Sequence, residues 1–423
     1  MKLTRRTRTV VLTIAVALAT FLASLGYLLG TASEWDLEGL VGIYGSGGTS
    51  VVLDSEDNIH IAFYEKTHDE PMDWLGYGLF SGGVWATHRI QPLDNESYTS
   101  MALDPDGGVH IVVDQLERWQ HEPANEIMYA TNVGGWRTEM VQTADVPLSK
   151  AIAFDAAGVH LFYTENETNP VLKVASRGES GWTTTEIQVG DRVPYYVWSV
   201  QPASSGGWHM LLTFDQEENG TEVFRRAYAF VDGNVTTVWD VPSAVFGVVS
   251  MALDLEGGPV IGLEENTTGI PRLSLARLVD GDWAYEPIAK STNPDHNGIP
   301  SLTFDRQGSS HVTLSLGEPG DFGDLWYATD KDGKWALSKV DEPMQPSNQV
   351  FCAPIVVDST GKVSIFYHRM MPPLGEKPFQ LIHATNVIDQ ETRMTPFVIA
   401  VGWSVAAAVC VLTVQLAIAR QRK

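Results

Sequence analysis

The sequence predicts an all-β ring of seven four-stranded sheets, a seven-bladed β-propeller, on three observations. A unit of about fifty residues recurs seven times between two apolar ends. Each unit reads as four short alternating strands punctuated by turn residues. The last unit stops one strand short, and a matching strand stands at the other end of the chain.

The opening half of the unit reads SVVLDSEDNIHIAFYE (50–65), SMALDPDGGVHIVVDQ (100–115), KAIAFDAAGVHLFYTE (150–165) and SMALDLEGGPVIGLEE (250–265). Further copies are PSLTFDRQGSSHVTLSL (300–316), APIVVDSTGKVSIFYHR (353–369) and a degenerate SVQPASSGGWHMLLTFD (199–215). Its first strand, A, carries S-x-A-x-D and ends at Asp54, Asp104, Asp155, Asp254, Asp305 and Asp358. Each Asp opens a tight turn, five of them with a Gly near the end, because Asp accepts backbone N–H bonds and Gly takes positive φ. The B strand begins with His60, His110, His160, His209 and His311. One His per sheet reads as a structural contact, not as a metal ring.

The closing half reads IMYATNVGGWRTEMV (127–141), LKVASRGESGWTTTEI (172–187), LSLARLVDGDWAYEPI (273–288) and LWYATDKDGKWALSKV (325–340). The C strand centres on a small residue, Gly78, Ala130, Ala175, Ala229, Ala276, Ala328 or Ala384, where facing sheets must come close. The D strand opens with Trp85, Trp136, Trp182, Trp283 or Trp335, and with Val235 in blade four. These Trp are expected to pack between blades. Blade seven reaches LIHATNVI (381–388) without its D strand, and SEWDLEGLV (33–41) supplies one, Trp35 and Leu40 keeping the five-residue spacing. Closure by this N-terminal strand removes an open edge.

The propeller is thus expected over residues 33–390. Residues 10–30 and 396–419 are apolar runs of membrane-spanning length, one at each end. Lys2, Arg5, Arg6 and Arg8 lie in the 1–9 tail and Arg420, Arg422 and Lys423 in the 420–423 tail. Both tails then belong in the cytosol, with the propeller on the extracellular side of the cell membrane. Gly30-Thr31-Ala32 also fits a signal-peptidase site, so the first run is either a retained helix or a cleaved signal. Five sequons, at Asn95, Asn166, Asn219, Asn234 and Asn266, suit an N-glycosylated outer surface.

The formal net charge of −24 repels phosphate backbones and excludes nucleic acid as a partner. Two cysteines, Cys352 and Cys410, give neither a disulfide framework nor zinc spacing. The strand spacing and the D-x-x-G turns resemble the sialidase-like (BNR-type) repeats of secreted propellers, over roughly residues 34–388. The resemblance implies the fold; the Ser, Asp, Gly and aromatic turn of true sialidases is not matched here.

Ligands of propellers bind at the face bearing the B-to-C and D-to-A loops. Glu65, Asp114, Glu165, Asp215 and Glu265 fall at similar places just after their B strands and form a partial ring. Such a ring suits Ca²⁺, which takes six to eight oxygens, or a cationic or basic ligand, or simply a solvated acidic surface. Tyr195 and Tyr196, read as part of a D-to-A loop beside Arg192, are the nearest approach to a sialidase-type site. The leading expectation is a membrane-anchored extracellular propeller that binds a protein or glycan partner or forms the outer domain of a membrane complex. The alternative is a cell-surface glycoside hydrolase of sialidase-like architecture.

Overall fold

The computed structural model of the chain describes residues 35–386 other than 45–47, 66–72, 94–97, 117–124, 145–146, 166–169, 191, 219–220, 234, 242–248, 266–270, 291–297, 318–323, 342–352 and 371–378. The two apolar runs and all five sequon asparagines lie outside the described residues. Among the described residues no helix is long and apolar enough to cross a membrane. Leu37–Thr385 forms one compact unit, and of the other unit only Trp35, Asp36 and Asn386 are described.

The described residues form seven antiparallel four-stranded sheets. Strand β1 (Trp35–Tyr44) comes first in the chain and belongs to the last blade. Blade one is β2 (Ser50–Leu53), β3 (Ile59–Glu65), β4 (Asp73–Ser81) and β5 (Val84–Leu93). Blade two is β6 (Thr99–Leu103), β7 (Val109–Leu116), β8 (Asn125–Thr131) and β9 (Arg137–Ala144). Blade three is β10 (Pro147–Asp155), β11 (Gly158–Glu165), β12 (Val171–Gly178) and β13 (Gly181–Glu186). Blade four is β14 (Val193–Pro202), β15 (Trp208–Glu218), β16 (Thr221–Asp232) and β17 (Val235–Asp240). Blade five is β18 (Ser250–Leu253), β19 (Pro259–Glu265), β20 (Arg272–Val279) and β21 (Asp282–Lys290). Blade six is β22 (Gly298–Phe304), β23 (Ser310–Leu316), β24 (Asp324–Thr329) and β25 (Ala336–Asp341). Blade seven is β26 (Ile355–Val357), β27 (Val363–Met370) and β28 (Phe379–Asn386), completed by β1 alongside β28. The strand exchange expected at Trp35 and Leu40 is present, and both side chains are buried.

The A strands lie innermost. Each meets the A strands on both sides, running β2, β6, β10, β14, β18, β22, β26 and back to β2. Serines of the A strands stitch parts of this inner ring from blade to blade. Ser100 Oγ accepts from Ile152 N (3.1 Å), Ser149 Oγ from Val197 N (2.7 Å) and Ser301 Oγ from Ile355 N (3.3 Å). Ser50 Oγ instead donates to the Thr99 carbonyl (2.6 Å). These bonds satisfy backbone groups that have no ladder partner at an inner edge.

Core packing lies between blades. Ile59, Ile61 and Phe63 meet Val356, Phe366, Leu381 and Leu40 of blade seven, while Ala62 and Tyr64 turn to Val109, Ile111 and Val113 of blade two. Alternate residues of one B strand therefore feed two seams, as the two-residue period requires. The small C-strand residues pair directly with buried B-strand residues, as Gly78 with Ile61 and Ala130 with Ile111. A Cβ at Gly78 would come within 2.8 Å of Ile61, so the close approach is real.

The tryptophans pack where expected. Trp136 contacts Tyr77 of blade one, Trp182 contacts Tyr129 of blade two, Trp283 contacts Tyr228 of blade four and Trp85 contacts Phe366 of blade seven. Blade four departs most from the repeat yet has the longest strands, β15 and β16. Ala203 replaces the turn aspartate there, and Gly206 and Gly207 at positive φ carry the reversal.

One closure device was not legible in the repeat. Where other A-to-B turns place Gly107, Gly257, Gly308 or Gly361 at positive φ, blade one has Asp57 at φ 63°. Its carboxylate accepts from Ser359 N (3.0 Å) and from the Ser359 hydroxyl on blade seven, with Arg306 of blade six 3.6 Å away. The hydroxyl bond comes first in pulling the Asp57 carboxyl below its ordinary range. Turns of blades six, seven and one are thereby tied on the face opposite the B-to-C loops.

Candidate functional site

Two groups of residues look chemically active, and they lie on opposite faces. The first is the repeated histidine. In blade one His60 Nε2 lies 3.3 Å from Asp54 Oδ2 and Nδ1 lies 2.8 Å from Tyr77 OH. Blade two repeats this with Asp104 (3.2 Å) and Tyr129 (2.5 Å), and blade six with Asp305 (3.3 Å) and Tyr327 (2.6 Å). Blade three substitutes Ser176 for the tyrosine, and in blade four His209 keeps Tyr228 (2.7 Å) without an Asp. An ionised carboxylate only accepts, so Nε2 carries the proton and Nδ1 accepts from the tyrosine hydroxyl.

Burial holds His110 and His311 below their ordinary pKa against the opposing bond from Asp, so both are neutral. Burial alone would raise Asp104 and Asp305, but backbone amides and the histidine more than reverse it. Burial pushes Tyr77 and Tyr327 up to about 12. The Tyr–His–Asp arrangement joins the A-to-B turn to the B and C strands of one sheet. Among the described residues no group of three or more His, Cys, Asp or Glu is placed to hold a metal ion.

The second group lies at the loop-bearing end. Counted from the B-strand residue paired with the small C-strand residue, Glu65, Glu165 and Glu265 each stand four residues on. Asp114 stands three on and Asp215 five on, so the backbone register sets them one step from that level. Their side chains lie outside the described residues. Glu65 holds Arg89 in a two-pronged pair (2.7 and 3.1 Å), and Arg89 lies 5.6 Å over the Trp74 ring. Glu165 is paired with Lys173 of its own blade, and Glu265 is buried opposite Arg272 in the ladder. At the same level in blade seven stands Arg369, 3.3 Å from Asp341, which also accepts from Tyr367 OH (2.7 Å).

Tyr195 and Tyr196 are not on a loop: both belong to β14, the inner strand of blade four. That strand slips register twice against β15, between Pro194 and Tyr196 and between Val197 and Ser199. Tyr195 and Trp198 are the two extra residues, and bulges of this kind re-aim side chains. Trp198 is 47% exposed; its Nε1 donates to Thr213 Oγ1 (2.7 Å) and Arg226 lies 5.8 Å over its ring. Tyr196 lies 6.0 Å from Trp198 and 4.9 Å from Tyr195. Burial lowers Arg226 to about 10, still charged at neutral pH. The other strongly exposed aromatic among the described residues is Tyr98, 66% exposed, immediately before inner strand β6. Tyr98 and Trp198 thus share the loop-bearing end of the inner ring. Trp198 was missed in sequence because bulges depend on pairing, which no single strand shows.

No family model matches the chain, and no curated protein matches it. Among solved structures, it is similar to the polysaccharide lyase Uly1 at 10% identity and TM-score 0.46, covering 83% of this chain and 93% of that one. It is similar to the GH93 α-L-arabinofuranosidase of Fusarium graminearum at 12% identity and TM-score 0.45, covering 83% and 98%. With the sialidase of Trypanosoma rangeli the figures are 10% and 0.45, covering 83% of this chain and 59% of that one. At that level of likeness no chemistry passes from these proteins to this chain.

Proposed function

We propose that this protein is a membrane-anchored extracellular propeller that binds a glycan at its loop-bearing face. The observation that carries the reading is the placing of Trp198 by two bulges at the mouth of the inner ring. An indole held by Thr213 on its edge and Arg226 on one face is preorganised, and its remaining surface suits the apolar face of a sugar ring. Tyr98 adds a second aromatic surface at the same end, and a glycan long enough to span both would bury each. Arg89 over Trp74 and the paired Glu65 and Glu165 supply hydrogen-bonding groups around that end. The membrane anchors rest on the apolar runs at 10–30 and 396–419 with their basic tails.

The test is glycan-array binding by the detergent-solubilised full chain, followed by titration of the best ligand. Trp198→Ala is expected to weaken binding tenfold or more, about 1.4 kcal/mol, with little loss of stability because the side chain is half exposed. Unchanged affinity in that variant, or no glycan bound by the intact chain, would sink the reading. Release of new reducing ends from the bound glycan in the same assay would favour the hydrolase instead.

A further inference from the structure

A cavity of about 210 Å³ opens between blades two and three on the face opposite the candidate glycan site. Blade two lines it with Asp104, His110, Tyr129, Thr131, Val133 and Arg137; blade three contributes Phe154, Gly158, Val159 and Arg177. Its floor is the neutral His110 bonded to Tyr129, with the Phe154 ring stacked on the imidazole at 5.6 Å. Such a floor is apolar in effect, since all its donors are spent.

The walls differ. Arg177 lies 5.6 Å over the Tyr129 ring, and its Nε and Nη2 grip Glu139 at 2.7 and 3.4 Å. Glu139 is held in turn by Trp182 Nε1 at 2.9 Å. This clamp fixes the guanidinium plane and leaves Nη1 outside the pair. Arg137, on the neighbouring blade, is exposed and has no hydrogen-bond or ion-pair partner among the described residues. Both guanidinium charges act on His110 and on Tyr129, so they converge on one place. The Asp104 carboxylate also borders the cavity, but it is committed: Oδ1 accepts from Asp106 N and Gly108 N (2.9 and 2.6 Å) and Oδ2 from His110.

We propose that this cleft binds a tetrahedral oxyanion, a phosphate or sulfate group bridged by Arg137 and Arg177 across the seam between two blades. Arginine forks match such oxygens, and one fork here is already oriented by Glu139 and Tyr129. In a chain with 28 basic against 52 acidic residues, two arginines at this seam offset the Asp104 and Glu139 carboxylates beside them. Free anion and lipid headgroup share this chemistry.

The experiment is isothermal titration of the full chain in detergent at fixed ionic strength, with inorganic phosphate, sulfate, dimethyl phosphate and acetate as probes. Saturable binding of phosphate or sulfate is expected, weakened tenfold or more by Arg137→Gln and less by Arg137→Lys. Arg137→Gln should melt at the parent temperature without anion, since the residue is exposed. Dimethyl phosphate binding alongside phosphate points to a headgroup as the source, and its failure to bind points to a free anion; both uphold the site. No saturable binding, equal binding by parent and Arg137→Gln, or preference for acetate would overturn it.

Discussion

Ring closure can be tested on a single strand by comparing two leucines three residues apart. Leu40 of β1 is 4% exposed and packs among Ile59, Ile61 and Phe63 of blade one and Val356, Phe366 and Leu381 of blade seven. Leu37 of the same strand is 40% exposed. Leu40→Ala removes buried methyl groups from the seam where the chain's two ends meet and leaves a cavity, a change that costs about 2–5 kcal/mol. Leu37→Ala removes the same atoms from water-facing surface and should stay within about 0.5 kcal/mol. The assay is urea unfolding of the full chain followed by tryptophan fluorescence, reading the midpoint at unchanged slope. Equal costs for the two substitutions, or a Leu40→Ala cost below about 1 kcal/mol, would mean that β1 is not seated against blade seven as described.

Two further predictions test the seams. His383 is buried, stacked on Phe366 at 4.6 Å and bonded to Ser364 Oγ at 3.0 Å, and burial lowers its pKa from 6.5 to about 4. The unfolded chain therefore takes up this proton first as pH falls. The stability from His383 is whole above about 6.5, declines toward about 4, and amounts to about 3 kcal/mol. The Lys362 charge adds to the lowering. His383→Phe should flatten the stability profile across that window in pH-dependent urea unfolding; an unaltered slope would contradict the assignment. At Gly76 an added Cβ would lie 2.2 Å from the buried Phe63 ring, so Gly76→Ala should cost about 1–3 kcal/mol by overpacking in the same denaturation assay. A neutral result would show that Phe63 has room to move.

Much of the fold was legible because repetition exposes it. The turn aspartates recur at one offset, the small C-strand residues mark close approach, and Trp35 with Leu40 repeats the D-strand spacing of other blades. The histidines read as structural in sequence, and the Tyr–His–Asp bonds supply the reason. Far less of the candidate site could be read. Glu65, Glu165 and Glu265 share a level, but their cationic neighbours Arg89 and Lys173 lie on other strands, whose register had to be known. Tyr195 and Tyr196 read as loop in sequence because Pro194 interrupts the strand pattern near the start of β14.

The amino-acid sequence alone determined the number of blades, the identity of their strands and the use of the N-terminal segment to complete the seventh. Those properties follow from period and composition within one chain segment, which neighbours in sequence carry. Only the tertiary structure decided that Trp198 stands exposed at the mouth of the ring, that Asp57 ties blade one to blade seven, and that Arg137 and Arg177 share a cleft. Each depends on pairing register or on contact between sheets distant in the chain, and side chains brought together that way leave no local pattern.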